Sequence, residues 1–365
     1  MAQHPAALIA EGRRRLAKSR RIVIKIGSKS LAGDAWQRMA EEVAALRAQR
    51  RQVIVVSSGA IALGISRLGL KGRPKDMPRL QAAAAAGQSA LMQRWEGALN
   101  PLGLAAAQVL LTHADLADRN RSNNAQKALE ALLAAGAIPV INENDAVSVE
   151  EIKFGDNDQL ASMVVPLLGA DLLLLLSDVE GLLDDQQQRI TYVRNGAREV
   201  SQFAGAATSG VGTGGMVSKV QAAGRAALAG ADVVIALARR ASVVTSVVAG
   251  EDVGTLFARA PLRLSARKHW IAFTLRSKGA LILDRGAAEA VRRNRSVLAV
   301  GVVGVRGQFD AGDSITLVDA NGLELGRGLT LLSSAAAAAA CGNADAGEII
   351  NRSDLVVLPD DPWSE

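Results

Sequence analysis

Ile22-Val23-Ile24-Lys25-Ile26-Gly27 is a β-branched run broken by a single lysine and closed by a glycine. Such a run predicts a buried strand, and the glycine supplies the tight turn that ends it. The same pattern recurs downstream. Val53–Val56 is apolar and ends at Ser57-Ser58-Gly59, and Ala105–Leu111 reads as a strand. Ile138-Pro139-Val140-Ile141 enters Asn142-Glu143-Asn144-Asp145, and Leu172–Leu176 is wholly leucine. Helical segments separate these strands. Residues 35–50 place Met39, Val43 and Leu46 on one face, a helix starts at Ala60, and 80–99, 121–135 and 158–168 are helical. Alternating helices and continuously apolar strands predict an α/β domain, with a mostly parallel central sheet covered on both faces.

The pattern changes near Arg259. Ala260-Pro261-Leu262-Arg263 reads as a linker, followed by basic residues Arg263, Arg267 and Lys268. Beyond Trp270 the expected strands are short: Ala280–Leu283, Val297–Val305, Ser314–Val318 and Leu323–Leu325. Gly301, Gly304, Gly307, Gly312, Gly322, Gly326 and Gly328 mark turns or bulges between them. The expected organisation is a basic extension over 1–20, an α/β domain over 21–260, a linker over 261–270 and a small β-barrel-like domain over 271–365.

Composition narrows the function classes. A chain of 365 residues accommodates two domains, on a prior of about 100–200 residues each. Hydrophobic residues are 49% and aromatics only 3%, so the core is built from Ala, Val, Leu and Ile. Cys341 alone cannot form an internal disulfide, which suits a reducing cytoplasm, and its Ala-rich surroundings suggest a buried, inert thiol. No apolar run approaches the roughly 20 residues that span a bilayer, and no apolar signal core follows the N-terminal basic residues. From Ile271 onward there are nine Lys/Arg against twelve Asp/Glu, a balance of −3 that leaves +9 for the first 270 residues. Much of the excess is Arg13, Arg14, Arg15, Lys18, Arg20 and Arg21. A solvated first helix is the favoured reading of that run, ahead of nucleic-acid or membrane attraction.

Several segments carry phosphoryl-transfer chemistry. That chemistry needs cations around the moving group, backbone N–H groups for the phosphates and a positioned acceptor. Lys25 sits at the end of its strand just before Gly27-Ser28, where α/β sheets collect ligands. A lysine snorkelling at a strand edge is the structural alternative. Thr213-Gly214-Gly215-Met216-Val217-Ser218-Lys219 is a second cationic, glycine-rich loop, with Lys219 expected in the first turn of the following helix. It lacks Walker A spacing. Ser58-Gly59-Ala60 opens a helix, so Ser58 can be an N-cap, and the helix N-terminus can receive a carboxylate; both can hold together. Asp145, Asp156 and Asn157 can grip an ammonium group, and Asp158 can hold the two lysines or cap a helix. Ser177-Asp178 can touch a nucleotide or cap a turn. His4, His113 and His269 are scattered, which argues against zinc; magnesium carried by ATP is the more natural metal.

Together, Lys25–Ser28, Ser57–Gly64, Asn142–Asp145, Glu151–Asp158 and Gly212–Met216 resemble, in content and order, bacterial glutamate 5-kinases. The similarity runs from about Arg21 through nearly the whole chain, and the last part resembles the PUA domain attached to many of these enzymes. The resemblance implies an amino-acid-kinase-like three-layer αβα sandwich and ATP-dependent phosphorylation of the L-glutamate γ-carboxylate, the first step of proline synthesis. It implies that Lys25 and Lys219 stabilise the phosphoryl group and that Asp158 organises them. Ser58, Asp145 and Asn157 would hold glutamate, with Asp156 nearby. Gly27, Ser177, Asp178 and residues 213–219 would contact ATP. Mg2+, proline as feedback inhibitor, a dimer or tetramer, glutamyl phosphate reductase as functional partner and a cytoplasmic location are also implied.

Three departures stand out. Lys29 replaces the usual small hydroxyl residue, Gly181–Gln186 lacks the usual tyrosine-threonine and aspartate-proline pieces, and the N-terminal arm is longer than typical. Two rivals remain: a kinase of the same fold with another acceptor, and RNA binding through the PUA domain. The −3 balance of that domain weighs against RNA, although Arg292, Arg293 and Arg295 form a local basic patch.

Overall fold

The computed structural model describes residues 5–147, 157–194, 215–260 and 264–358. These fall into two compact units, one holding the described residues up to Ala260 and one beginning at Leu264.

The first unit is built on eight strands: β1 (Arg21–Ile26), β2 (Gln52–Ser57), β3 (Ala106–Leu111), β4 (Ile138–Glu143), β5 (Leu172–Ser177), β6 (Tyr192–Val193), β7 (Asp232–Leu237) and β8 (Thr255–Phe257). Their order is β3-β4-β2-β1-β5-β7-β8-β6. Every neighbouring pair is parallel except β7–β8. The five leucines of β5 are fully buried, each contributing roughly 1.5–3 kcal/mol by leaving water. β7 is as apolar as β5 but was not anticipated from sequence.

The helices form a layer on each face. α1 (Pro5–Leu16), α2 (Ala35–Ala48), α4 (Met77–Leu99) and α9 (Val243–Ala249) pack with one another over Ile22, Ile24 and Ile26. α6 (Arg119–Ala134), α7 (Asn157–Leu168) and α8 (Gly215–Leu228) pack together on the other face. Side chains alternate along a strand, so Lys25 points toward the α7 layer. α3 (Ala60–Arg67) crosses α4 at backbone contact: a Cβ on Gly64 would lie 1.7 Å from the Ala83 carbonyl oxygen, and one on Gly87 would lie 1.8 Å from that of Ala60. α5 (His113–Ala117) starts with a capping box between Thr112 and Asp115.

The basic N-terminal run differs from the solvated helix expected. Arg14, Lys18 and Arg20 are exposed, but α1 buries Leu16 completely and Arg13 to 5% exposure. Arg15 forks onto Asp232 at 2.6 and 3.0 Å, and Arg21 onto Glu130 at 2.7 and 2.9 Å. Paired guanidiniums keep their charge while their stems cover apolar surface, so a basic run need not be solvated.

The second unit has a five-stranded sheet in the order β11-β9-β12-β13-β15 and a separate β10–β14 pair. The strands are β9 (Gly279–Leu283), β10 (Val297–Leu298), β11 (Val302–Gly307), β12 (Ser314–Val318), β13 (Glu324–Leu329), β14 (Glu348–Ile350) and β15 (Leu355–Val357). Three helices accompany them: α10 (Ala266–His269), α11 (Arg285–Arg292) and α12 (Ser334–Ala340). The expected strand Val297–Val305 is split by a 3-10 turn at Ala299–Gly301. There a Cβ on Gly301 would meet Ala287 of α11 at 2.5 Å. The expected Leu323–Leu325 strand instead extends to Leu329. Gly326 and Gly328 lie inside it, because a Cβ at Gly326 would sit 2.3 Å from the Val356 carbonyl oxygen. Cys341 is half-buried rather than buried, and its thiol donates to the Ala337 carbonyl at 3.3 Å. Pro261, Leu262 and Arg263 of the expected linker lie outside the described residues.

Candidate active site

The carboxyl ends of β1, β2, β4 and β5 deliver Gly27-Ser28, Ser58-Gly59, Asn144-Asp145 and Asp178 to one edge of the sheet. Turns leaving parallel strands expose backbone N–H groups and side chains there.

The centre of this edge is a carboxylate between two ammonium groups. Lys25 Nζ lies 2.6 Å from Asp158 Oδ1, and Lys219 Nζ lies 3.0 Å from Asp158 Oδ2. Lys25 is 6% exposed and Asp158 2%. Charges so deeply buried persist when paired, and Asp158 also gains from its place in the first turn of α7. Asp158 is thus a bridge between the lysines and not the helix cap that was its alternative reading. Lys25 is likewise not snorkelling into solvent. Lys219 is the fifth residue of α8, further along than the first turn expected, and its Nζ donates back to the Gly215 carbonyl at 3.3 Å. Three charged groups with a net single positive charge form a ready counter-charge for a phosphoryl group.

Beside them runs a chain of amides. Asn157 Nδ2 donates to Ser58 Oγ at 2.7 Å and to Asn142 Oδ1 at 2.9 Å. Asn142 Nδ2 donates to Gln88 Oε1 at 2.9 Å, and Gln88 Nε2 to Gln108 Oε1 at 3.2 Å. Asn157 is 7% exposed, and its Oδ1 accepts no hydrogen bond among the described residues. A buried acceptor left without a donor is costly, of order 1–3 kcal/mol, and an incoming ammonium or amide N–H removes that cost. Ser58 does not cap α3: Gly59 holds the cap position with φ 120° and no side-chain bond. The serine hydroxyl is used for Asn157 instead. Beneath it, Trp95 Nε1 donates to Ser57 Oγ at 2.9 Å and fixes the strand end from the opposite layer.

Asp145 is half-buried in the turn after β4. Ser177 Oγ donates to Asp178 Oδ1 at 3.1 Å, and Lys29 Nζ approaches Asp178 Oδ2 at 3.8 Å. The Asp178 carboxyl is drawn below its ordinary value, first by its own backbone N–H and also by the Ser177 hydroxyl, Lys29 and Lys219. Lys29, the odd residue of its segment, therefore faces Asp178. Gly215, Met216, Val217 and Ser218 form the first turn of α8, while Asp156, Thr213 and Gly214 lie outside the described residues.

Sequence reasoning gave no role to Gln88 or Gln108, and took Asn142 only as part of the Asn142–Asp145 segment. A usable signal existed for Gln88, an amide that falls at helical spacing among the apolar residues of its helix, in line with Leu80, Ala84, Leu91 and Trp95. Among the described residues no group of three or more His, Cys, Asp or Glu could hold a metal ion, and no helix is long and apolar enough to cross a membrane.

Comparison with known proteins gives this geometry a family. The amino acid kinase family profile matches residues 20–236, and the PUA domain profile matches residues 279–346. A glutamate 5-kinase of Trichlorobacter lovleyi is 44% identical over 368 residues, covering 94% of this chain and 98% of the relative. One from Myxococcus xanthus is 48% identical over 334 residues, covering 88% and 89%. Among solved structures, N-acetylglutamate synthase from Neisseria gonorrhoeae superposes with a TM-score of 0.53 at 16% identity, covering 71% of this chain and 65% of that one, a likeness of fold.

Proposed function

The chain belongs to the amino acid kinase family and to its glutamate 5-kinase branch, and from that premise we propose how its residues carry out ATP-dependent phosphorylation of glutamate. A γ-carboxylate oxygen of L-glutamate attacks the terminal phosphorus of ATP, the bond from that phosphorus to ADP breaks, and glutamyl 5-phosphate and ADP leave. The carboxylate is already ionised near neutral pH, so no strong general base is needed. Positioning and charge neutralisation do the work. The Lys25–Asp158–Lys219 bridge carries this reading, because it brings two ammonium groups, one buried and one half-buried, onto one carboxylate at the ligand edge of the sheet.

In this assignment Lys25 and Lys219 take the charge of the transferring group, and Asp158 fixes their separation. Asn157 Oδ1 accepts from the glutamate ammonium, and Ser58, Asp145 and Asp156 are assigned to the same substrate. Gly27, Ser177, Asp178 and residues 213–219 hold ATP. Mg2+, if bound with ATP, would supply further charge neutralisation. It needs few protein ligands, and the exposed Asp178 carboxylate suits an outer contact. Proline, which shares the α-amino and α-carboxyl groups of glutamate, would compete at the amide chain and act as feedback inhibitor. A cytoplasmic homo-oligomer (dimer or tetramer) that passes its unstable acyl phosphate to glutamyl phosphate reductase completes the proposal.

A coupled ADP assay tests it. Glutamate should drive turnover, with aspartate, N-acetylglutamate and nucleoside monophosphates far behind, and proline should raise the glutamate KM. Turnover preferring one of the alternatives would overturn the assignment.

A further inference from the structure

The buried guanidinium of Arg13 in α1 makes four hydrogen bonds, and nothing in the proposed reaction uses it. Its Nη1 donates to the Val253 carbonyl at 2.8 Å. Its Nη2 donates to the Thr191 carbonyl at 3.3 Å, the Gly254 carbonyl at 3.2 Å and Asp252 Oδ1 at 3.0 Å. Burial pushes the guanidinium below its ordinary value, while Asp252 opposes that shift. The helix is fitted to the site as well as bonded to it. A Cβ on Gly12 would come within 2.8 Å of Leu256 and 3.3 Å of Tyr192, and Gly250, at φ 85°, passes under the Arg13 carbonyl.

Asp252 is shared. Arg189 Nη1 reaches Asp252 Oδ1 at 3.1 Å and Nη2 reaches Oδ2 at 3.1 Å, and Nη1 also donates to the Gly254 carbonyl. Arg189 closes a tight hairpin. Leu183 pairs with Arg189, Ile190 N donates to the Leu182 carbonyl at 2.8 Å, and Asp184 accepts from the backbone of Gln186 and Gln188. Thr255 Oγ1 fastens its base, accepting from Leu182 N and donating to the Ile190 carbonyl. This hairpin leaves β5 just after Ser177-Asp178, at the edge of the sheet that carries Lys25 and Lys219. It then leads into β6.

We infer that Arg13 is a positioning residue for ATP: through the Asp252 carboxylate it shares with Arg189, the N-terminal helix holds the Leu182–Ile190 hairpin in one conformation against the nucleoside half of the nucleotide. The inference rests on the reading that ATP lies over Ser177-Asp178. It gives the N-terminal segment a task that its basic composition does not disclose. Arg189 forks onto both oxygens of Asp252, which fixes direction as well as distance, and Arg13 adds one bond to the same carboxylate while its other donors hold the Thr191, Val253 and Gly254 carbonyls.

The test compares Asp252→Asn, Arg13→Lys, Arg13→Ala and the conservative Asp252→Glu in the full chain. Asp252 is 61% exposed on its side chain, so the Asn variant is expected to fold even where Arg13→Ala does not. Calorimetric titration reads the affinity for ATP and for inorganic tripolyphosphate, and steady-state assays read both KM values. In Asp252→Asn and Arg13→Lys, ATP affinity should fall roughly three- to thirtyfold. Tripolyphosphate affinity and the glutamate KM should stay within twofold, and Asp252→Glu should recover part of the ATP affinity. Equal losses for ATP and tripolyphosphate, or a lowered Tm with ATP affinity unchanged, would overturn the inference. Direct ATP binding judges it even if glutamate fails as acceptor, so the two readings fall separately. If ATP does not bind the wild-type chain, both fall.

Discussion

Replacing Asp158 with Asn tests the charge bridge without changing its shape. In the wild-type chain Lys25 and Lys219 meet one carboxylate at 2.6 and 3.0 Å. The amide keeps the volume and one acceptor oxygen but removes the charge. Two ammonium groups are then left facing each other, with Lys25 only 6% exposed. Taking one partner from a buried ion pair costs about 3–5 kcal/mol. At about 2–4 °C per kcal/mol for a unit of this size, Tm falls by roughly 6–20 °C. Turnover falls by about a hundredfold or more, because the lysines lose the group that fixes their separation. ATP should still raise the variant's Tm, since its phosphates bring the missing negative charge to the same lysines. Differential scanning fluorimetry with and without Mg-ATP, beside the ADP assay, measures all three effects. A Tm within 2 °C of wild type, or turnover within threefold, would refute the claim that Asp158 bears the charge of both lysines.

Lys219→Ala should lower kcat by about a hundred- to a thousandfold while the folded signal by circular dichroism is kept; unchanged glutamate-dependent ATP consumption excludes the role. Asn157→Ala should raise the glutamate KM about tenfold or more and leave the ATP KM within twofold, and equal changes in both would count against the ammonium acceptor. Gly64→Ala should cost at least about 3 kcal/mol in urea unfolding, since its Cβ would sit 1.7 Å from the Ala83 oxygen, and a near-neutral result would show that α3 can slide. The Asp252 carboxyl is held below its ordinary 3.8, first by the Arg189 hydrogen bond. Its contribution to stability is therefore present above pH 3.8 and is lost as pH falls through the lower folded value. Urea midpoints at pH 5 and pH 3 should drop more for wild type than for Asp252→Asn, and parallel drops would show that this carboxylate does not contribute.

The strands of the first unit were legible because a strand buried on both faces leaves an uninterrupted apolar run, as at Ile22–Ile26 and Leu172–Leu176. β7 carries the same signal in Val233–Leu237 and could have been found by it. β6 and β8 are two and three residues long, too short for any period to show. Lys25, Asp158 and Lys219 were legible as types at strand and helix ends, and Asp158 as the holder of both lysines was one of its two readings; choosing it over a helix cap needed β1, α7 and α8 to meet in space. Gln88 was opaque for a similar reason: an amide in a helix looks solvated until its partner on a distant strand is known. The burial of Arg13 was hidden because three of its four acceptors are backbone carbonyls, which every sequence contains. In the second unit the glycines misled, because the contacts that require glycine inside β13 come from a strand some thirty residues later.

The position of β5 beside β1 has a consequence for how the protein is made. β1 leaves the ribosome early and finds β2 soon after, but its other neighbour is not translated until much later, and α8 with Lys219 later still. Until then the nascent chain exposes a flank of unpaired amides and carbonyls next to a lysine that has no counter-ion. The strand order thus ties completion of the sheet's centre to the translation of β5, long after β1 and β2 have paired.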